Sequence, residues 1–213
     1  MEYIEIMDSE DVRLIKFMKE LVGKDIKMVR ELEGSVKDLD KRFILLDLRD
    51  FKCLGRPRYI DEDDLEFSLH MRRILTEFIY MDKIFVAFAP MESKDLVLEI
   101  LLATDYILYP SGSIARLDPG YLPLNSGLTY IFFRGGAQLL NILYRGIEMD
   151  RLRDLGFIDG EIYRWGEEPN ITDIINYNEF LYKKLVLRER FLRDFHHYNS
   201  VEEALLERLL YSR

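Results

Sequence analysis

Cysteine is nearly missing from this chain, with Cys53 alone among 213 residues. No intramolecular disulfide can form, and zinc or redox sites built on paired thiols are excluded. Histidine is scarce too. His70, His196 and His197 have no companion cysteine and no ligand spacing, so they read as surface or interface residues and no metal site is expected. Positive charge is in deficit: 30 Lys+Arg against 39 Asp+Glu give a formal net charge of -9. That balance excludes broad attraction to nucleic acid or to an anionic membrane surface. No apolar run approaches a membrane span, and the first residues, MEYIEIMDSEDVRLIKF, carry acids where a signal peptide needs a basic region. The expectation is a soluble chain of the reducing cytoplasm.

What is present is apolar and periodic. At 48% hydrophobic, the length supports one substantial core and a single domain over 1–213. Strand-like and helix-like patterns alternate. Phe43–Leu48, Ile84–Ala89 and Tyr106–Tyr109 are continuous apolar runs of the kind that form buried parallel strands. Helical patterns lie between them, which makes this an α/β chain with crossover connections. Over 1–40 the pattern is a short strand, Tyr3–Ile6, then a helix capped by Asp8 or Ser9 with Val12, Ile15, Met18 and Val22 at helical spacing. Residues 110–127 shift to Pro, Gly, Ser and Asn, a long loop of the kind that borders a functional face. A helix is expected from Gly136 to Tyr144. Residues 170–213 form a helical region of two long patterns, broken near Asn199-Ser200, where Ser200-Val201-Glu202-Glu203 reads as a capping box.

The most specific stretch is LEILLATDYIL, residues 98–108, which sets Glu99 six places ahead of Asp105 on a helix running into an apolar strand. Among Val97, Leu98, Ile100, Leu101 and Leu102, the Glu99 carboxylate must be paired, protonated or chemically employed. An arginine such as Arg116 or Arg134 could pair with it. If it is unpaired, Gln in its place should relieve the burden of a buried charge.

This stretch resembles the crotonase superfamily, the enoyl-CoA hydratase/isomerase group, in the segment where a catalytic Glu precedes small and apolar residues and then Cys-Asp. Three further segments resemble it in the family's order, over roughly residues 41–211. They are GGAQLLNILYRG (135–146), RLRDLGFID (151–159) and NSVEEALLERL (199–209). The resemblance implies a ClpP/crotonase spiral of β-β-α units, with a divergent 1–40 and a 170–213 assembly region serving a homotrimer or a dimer of trimers. It implies an enzyme, a lyase or isomerase of the hydratase/isomerase type, that stabilises an enolate of a coenzyme A thioester without another cofactor.

In residue terms the resemblance makes Glu99 the acid/base. It places the two oxyanion donors on the N–H groups of Arg56, in Cys53-Leu54-Gly55-Arg56, and of Leu96, where the family has the middle glycine of Gly-Gly-Gly. Leu96 departs from that pattern, since side chains there restrict φ. The second carboxylate of the hydratases falls on Pro119-Gly120 or on Asp118. Lys52, Arg56 and Arg58 would hold the CoA phosphates. Two other readings stand beside this one. One is a binding or scaffold protein that keeps only the fold. The other is a serine/lysine peptidase of the signal peptide peptidase type, to which DYILYPSGSI (105–114) is similar, with Ser93 as nucleophile.

Overall fold

A computed structural model describes residues 3–18, 21–22, 25–37, 40–54, 62–164 and 175–211. Its repeating element is a strand in a large sheet, a shorter strand in a small sheet, then a helix. The first such unit is β2 (Val12–Phe17), β3 (Leu21–Val22) and α1 (Ile26–Val36), preceded by β1 (Ile4–Asp8). The second is β4 (Phe43–Asp47), β5 (Cys53–Leu54) and α2 (Glu62–Phe78). The third is β6 (Ile84–Phe88), β7 (Glu92–Lys94) and α3 (Asp95–Ala103), and the fourth is β8 (Tyr106–Pro110), β9 (Ile114–Arg116) and α4 (Gly127–Arg145). The chain closes with β10 (Ile147–Glu148), α5 (Met149–Asp154), β11 (Gly160–Tyr163) and α6 (Tyr177–Tyr211). This is the spiral of β-β-α units that the resemblance implies.

The large sheet runs β1-β2-β4-β6-β8-β11 and is parallel from β2 onward. β4 and β6 are buried at every position, which explains why they read as unbroken apolar runs. Alternation then divides their side chains between two cores. Ile44, Leu46, Phe85, Ala87 and Ile107 face the main core with residues of α1 to α4, where Phe85 stacks on Phe78 at 3.9 Å. Phe43, Leu45, Val86, Phe88 and Leu108 face Tyr177, Phe180 and Leu181 of α6. Among the described residues no helix is long and apolar enough to cross a membrane.

Four sequence expectations are corrected. The helix expected after Asp8 is strand β2, hydrogen-bonded to β1 and β4 on its two edges. Val12, Ile15 and Met18 are spaced for a helix, and the two ladders override that spacing: in the strand Arg13, Ile15 and Phe17 share the buried face. The 110–127 loop contains β9, and the helix expected from Gly136 begins at Gly127, with Gly136 (φ 60) marking a kink inside it. Asn199-Ser200 breaks nothing: α6 is continuous, and the Ser200 hydroxyl donates back to the His196 carbonyl (2.8 Å) inside it.

Candidate active site around Glu99

The site is assembled at the beginnings of α3 and α4. All nine residues of α3 are buried, so no face of it needs to be polar, and the polar residues it does carry must be satisfied locally. At its start Asp95 adopts φ 50, a left-handed conformation that Asp tolerates better than most residues. Asp95 Oδ1 accepts the N–H of Asp118 (3.0 Å) and so ties the β9–α4 loop to the tip of α3. Leu96, next in line, is one of the first-turn residues whose N–H has no intrahelical acceptor. The expected restriction of φ at this turn is therefore carried by Asp95, and the Leu96 N–H keeps its place at the positive end of the helix.

Glu99 lies one turn further on and has no exposed surface. The Tyr121 hydroxyl, the Asn125 N–H (2.7 Å), the Asn125 Nδ2 (2.7 Å) and the Gly127 N–H (3.0 Å) all donate to its carboxylate. These four donors come from the segment that leads into and begins α4. Ser126 in this segment has φ 75, the other non-glycine residue with positive φ among those described. Gly127 is required sterically: a Cβ there would stand 2.5 Å from Glu99 Oε2 and 2.7 Å from the Pro123 Cβ. The Tyr144 hydroxyl donates to the Tyr121 carbonyl (2.6 Å), and burial, with the charges of Asp95 and Glu99, pushes its phenol up.

Neither arginine expected as a partner reaches Glu99. Arg116 meets Glu92 (2.9 Å) and Asp118 (3.5 Å), while Arg134 donates to the carbonyls of Leu102 (3.1 Å), Thr104 (3.1 Å) and Phe157 (3.0 Å) and so caps the far end of α3. The four donors found on Glu99 are uncharged.

The structure brings Glu99, Leu96 and the backbone of Asp118 together at one helix tip. The Asp118 carboxylate is half-exposed and held by Lys94 (3.4 Å) and Arg116 (3.5 Å), so the two carboxylates share no partner in the hydrogen bonds of the site. Lys52 is exposed and precedes β5, which packs beside α3. Arg56 and Arg58 lie outside the described residues. Ser93, the alternative nucleophile, is fully buried with no hydrogen-bond partner for its hydroxyl, so among the described residues no lysine is bonded to it.

Sequence reasoning missed Tyr121, Asn125, Gly127, Tyr144 and Glu202. Asn125-Ser126-Gly127 carried a signal, since Asn-Ser-Gly before an apolar helical pattern marks a turn into a helix start. Glu202 carried none. It is completely buried and accepts from the N–H of Ser126 (2.7 Å) and the N–H (2.8 Å) and hydroxyl (2.6 Å) of Thr129. The capping box expected at Ser200–Glu203 does not form: Ser200 lies inside α6, Glu203 approaches Arg72, and it is Glu202 that serves the start of α4.

No family model and no curated protein matches the sequence. Solved structures do match. HypX from Aquifex aeolicus is similar at 15% identity and a TM-score of 0.74, covering 99% of this chain and 43% of that chain, so the present chain spans less than half of it. An enoyl-CoA hydratase from Thermoplasma volcanium is similar at 18% identity and a TM-score of 0.66, covering 96% of this chain and 92% of that one. A methylmalonyl CoA decarboxylase is similar at 15% identity and a TM-score of 0.68, covering 100% and 96%. Likeness at this level of identity establishes architecture, and the chain has the crotonase fold, the fold of these enoyl-CoA hydratase and methylmalonyl-CoA decarboxylase structures.

Proposed function

We propose that the protein is an enzyme acting on an acyl-CoA thioester, with the developing enolate oxygen held at the tip of α3 and Glu99 as the acid/base. The observation that carries this reading is the turn at Asp95, which leaves the Leu96 N–H without an intrahelical acceptor one turn before Glu99. An oxygen gathering negative charge is stabilised by such an N–H and by the positive end of the helix behind it. The Arg56 N–H is the proposed second donor, and Lys52, Arg56 and Arg58 are the proposed phosphate contacts. A 2S-carboxypropyl CoA is bound in one decarboxylase structure of similar fold, which supports the choice of a CoA ligand.

Hydration needs two cooperating carboxylates. Asp118 is engaged by Lys94 and Arg116 and shares no partner with Glu99. The reading therefore favours reactions that need one carboxylate: shifting a proton between carbons, or protonating the carbanion left by decarboxylation. In either, the Tyr121–Asn125 segment must move aside for Glu99 to reach substrate.

The second reading, a binding or scaffold protein, is favoured by the full set of donors on Glu99, which would suit a carboxylate employed only to join α3 to α4. A panel of CoA thioesters, followed by thermal shift and product formation, separates the two. An enzyme is stabilised by about 2.7 kcal/mol at a ligand concentration of about 100 Kd and turns over. A scaffold shows neither effect, and that result would remove the proposal.

A homotrimer is part of the same proposal. α6 leaves Tyr182, Leu185, Val186, Val201 and Leu205 exposed, apolar side chains that a second copy would cover. Sedimentation at micromolar concentration should give three times the chain mass; a single monomeric species would count against assembly.

A further inference from the structure

The start of α4 is held by two carboxylates that come from opposite sides. Asn125 and Gly127 donate their N–H groups to Glu99 of α3, whereas Ser126 and Thr129 donate theirs to Glu202 of α6. The N–H of Leu128, between them, turns back to the Pro123 carbonyl (2.8 Å). The donors to the two acids thus interleave along one stretch of backbone whose pivot, Ser126, sits at φ 75. α6 is anchored there a second time. Arg72 of α2 donates to the Asn199 side chain (3.1 and 2.8 Å), one turn before Glu202, and the Ser126 hydroxyl donates to the Arg72 carbonyl (3.1 Å).

We propose that Glu202 is a positioning residue for Glu99: by holding Ser126 and Thr129 it keeps Asn125 and Gly127 on the Glu99 carboxylate, so docking of the C-terminal helix decides whether Glu99 is closed off or open to a ligand. The inference deepens the thioester reading, because it names the element that must release before Glu99 can meet a substrate. Loosening any one of these N–H groups requires rotation about bonds shared with the next. A ligand that needs Glu99 therefore has to displace the segment together with its hold on α6.

The coupling has a pH signature. Glu99 from α3, Arg72 from α2 and Tyr130 from α4 face Glu202, and Glu203 beside it on α6 approaches Arg72 (3.8 Å). Burial pushes the Glu202 carboxyl up from 4.5 to about 7, the Thr129 hydrogen bond opposes the rise, and the charge of Glu99 adds to it. When α6 lifts and Glu202 meets water, the ordinary carboxylate value returns. The closed form thus holds a proton that the open form has lost, and closure weakens as pH rises through that interval.

Amide hydrogen exchange on the full chain tests this without any thioester. After correction for the intrinsic pH dependence of exchange, protection of Asn125 and Gly127 should fall by up to about tenfold per pH unit between about pH 5 and 7. In Glu202→Gln the slope should vanish. Asn199→Ala, which loosens the Arg72 anchor and leaves Glu202 ionisable, should lower protection and keep the slope. Flat protection in the unmodified protein overturns the proposal, and so does a Glu202→Gln variant in which Ser126 and Thr129 lose protection while Asn125 and Gly127 keep theirs. Because turnover plays no part in the readout, a protein that processes no thioester still decides this coupling, and the thioester panel decides the enzymatic reading separately.

Discussion

Glu99→Gln should lower turnover of an accepted thioester by roughly a hundredfold or more and, in the same protein, reduce folding stability by about 2–4 kcal/mol. The kinetic loss follows from removing the group that exchanges a proton. The stability loss follows from geometry. The Tyr121 hydroxyl, the Asn125 N–H and Nδ2, and the Gly127 N–H all donate toward the carboxylate. Glutamine keeps one acceptor oxygen and turns an NH2 group toward the remaining donors, which leaves buried N–H groups unsatisfied. This reverses the expectation from sequence that Gln would relieve an unpaired charge, because the charge is not unpaired. Chemical denaturation and turnover, measured where both proteins are folded, check the two effects independently. An unchanged denaturation midpoint would show that Glu99 does not join α3 to α4, and full activity would end its acid/base role.

The second large effect is expected at the other end of the same motif. Lys184 of α6 is nearly buried, and its ammonium donates to the Lys83 carbonyl (2.7 Å) and to Asp105 Oδ2 (2.8 Å). Asp105 also accepts the N–H of Phe85 (2.8 Å), so it fastens α6 to the edge of β6. Burial lowers the Lys184 ammonium and Asp105 opposes the shift. Breaking such a pair from one side leaves a carboxylate in a poorly solvated position, so Lys184→Met should cost about 3 kcal/mol, roughly 6–12 °C in Tm for a domain of this size. Adding Asp105→Asn should recover part of that loss, since the stranded charge is then gone. A double variant destabilised by the full sum of the single effects would mean that the pair is not coupled.

Much of the architecture was legible because it is local or repetitive. Phe43–Asp47 and Ile84–Phe88 announce themselves as strands buried on both faces, and the helices between them show their faces at the expected spacing. The N-terminal error has the same origin as these successes. Val12, Ile15 and Met18 satisfy a helical period, and only the ladders supplied by β1 and β4 make that segment a strand. At Asn199-Ser200 the side chains offer a local cap, yet α6 runs on through them and the Ser200 hydroxyl bonds back to His196 instead of capping.

For the site, the sequence by itself determined which acid has to be accounted for. Glu99 in an apolar run has to be accounted for in any fold, and the order of the segments around it was enough to name the crotonase architecture. What satisfies that acid was decided only by tertiary structure. A buried carboxylate takes whichever donors the chain brings within reach, and neutral N–H and hydroxyl groups from the start of α4 arrived where arginines had been expected. Glu202 shows the limit most plainly, because it reaches Thr129 from 73 positions away. Sequence spacing governs contacts within a helix or along a strand, but contacts between elements so far apart depend on how the whole spiral closes.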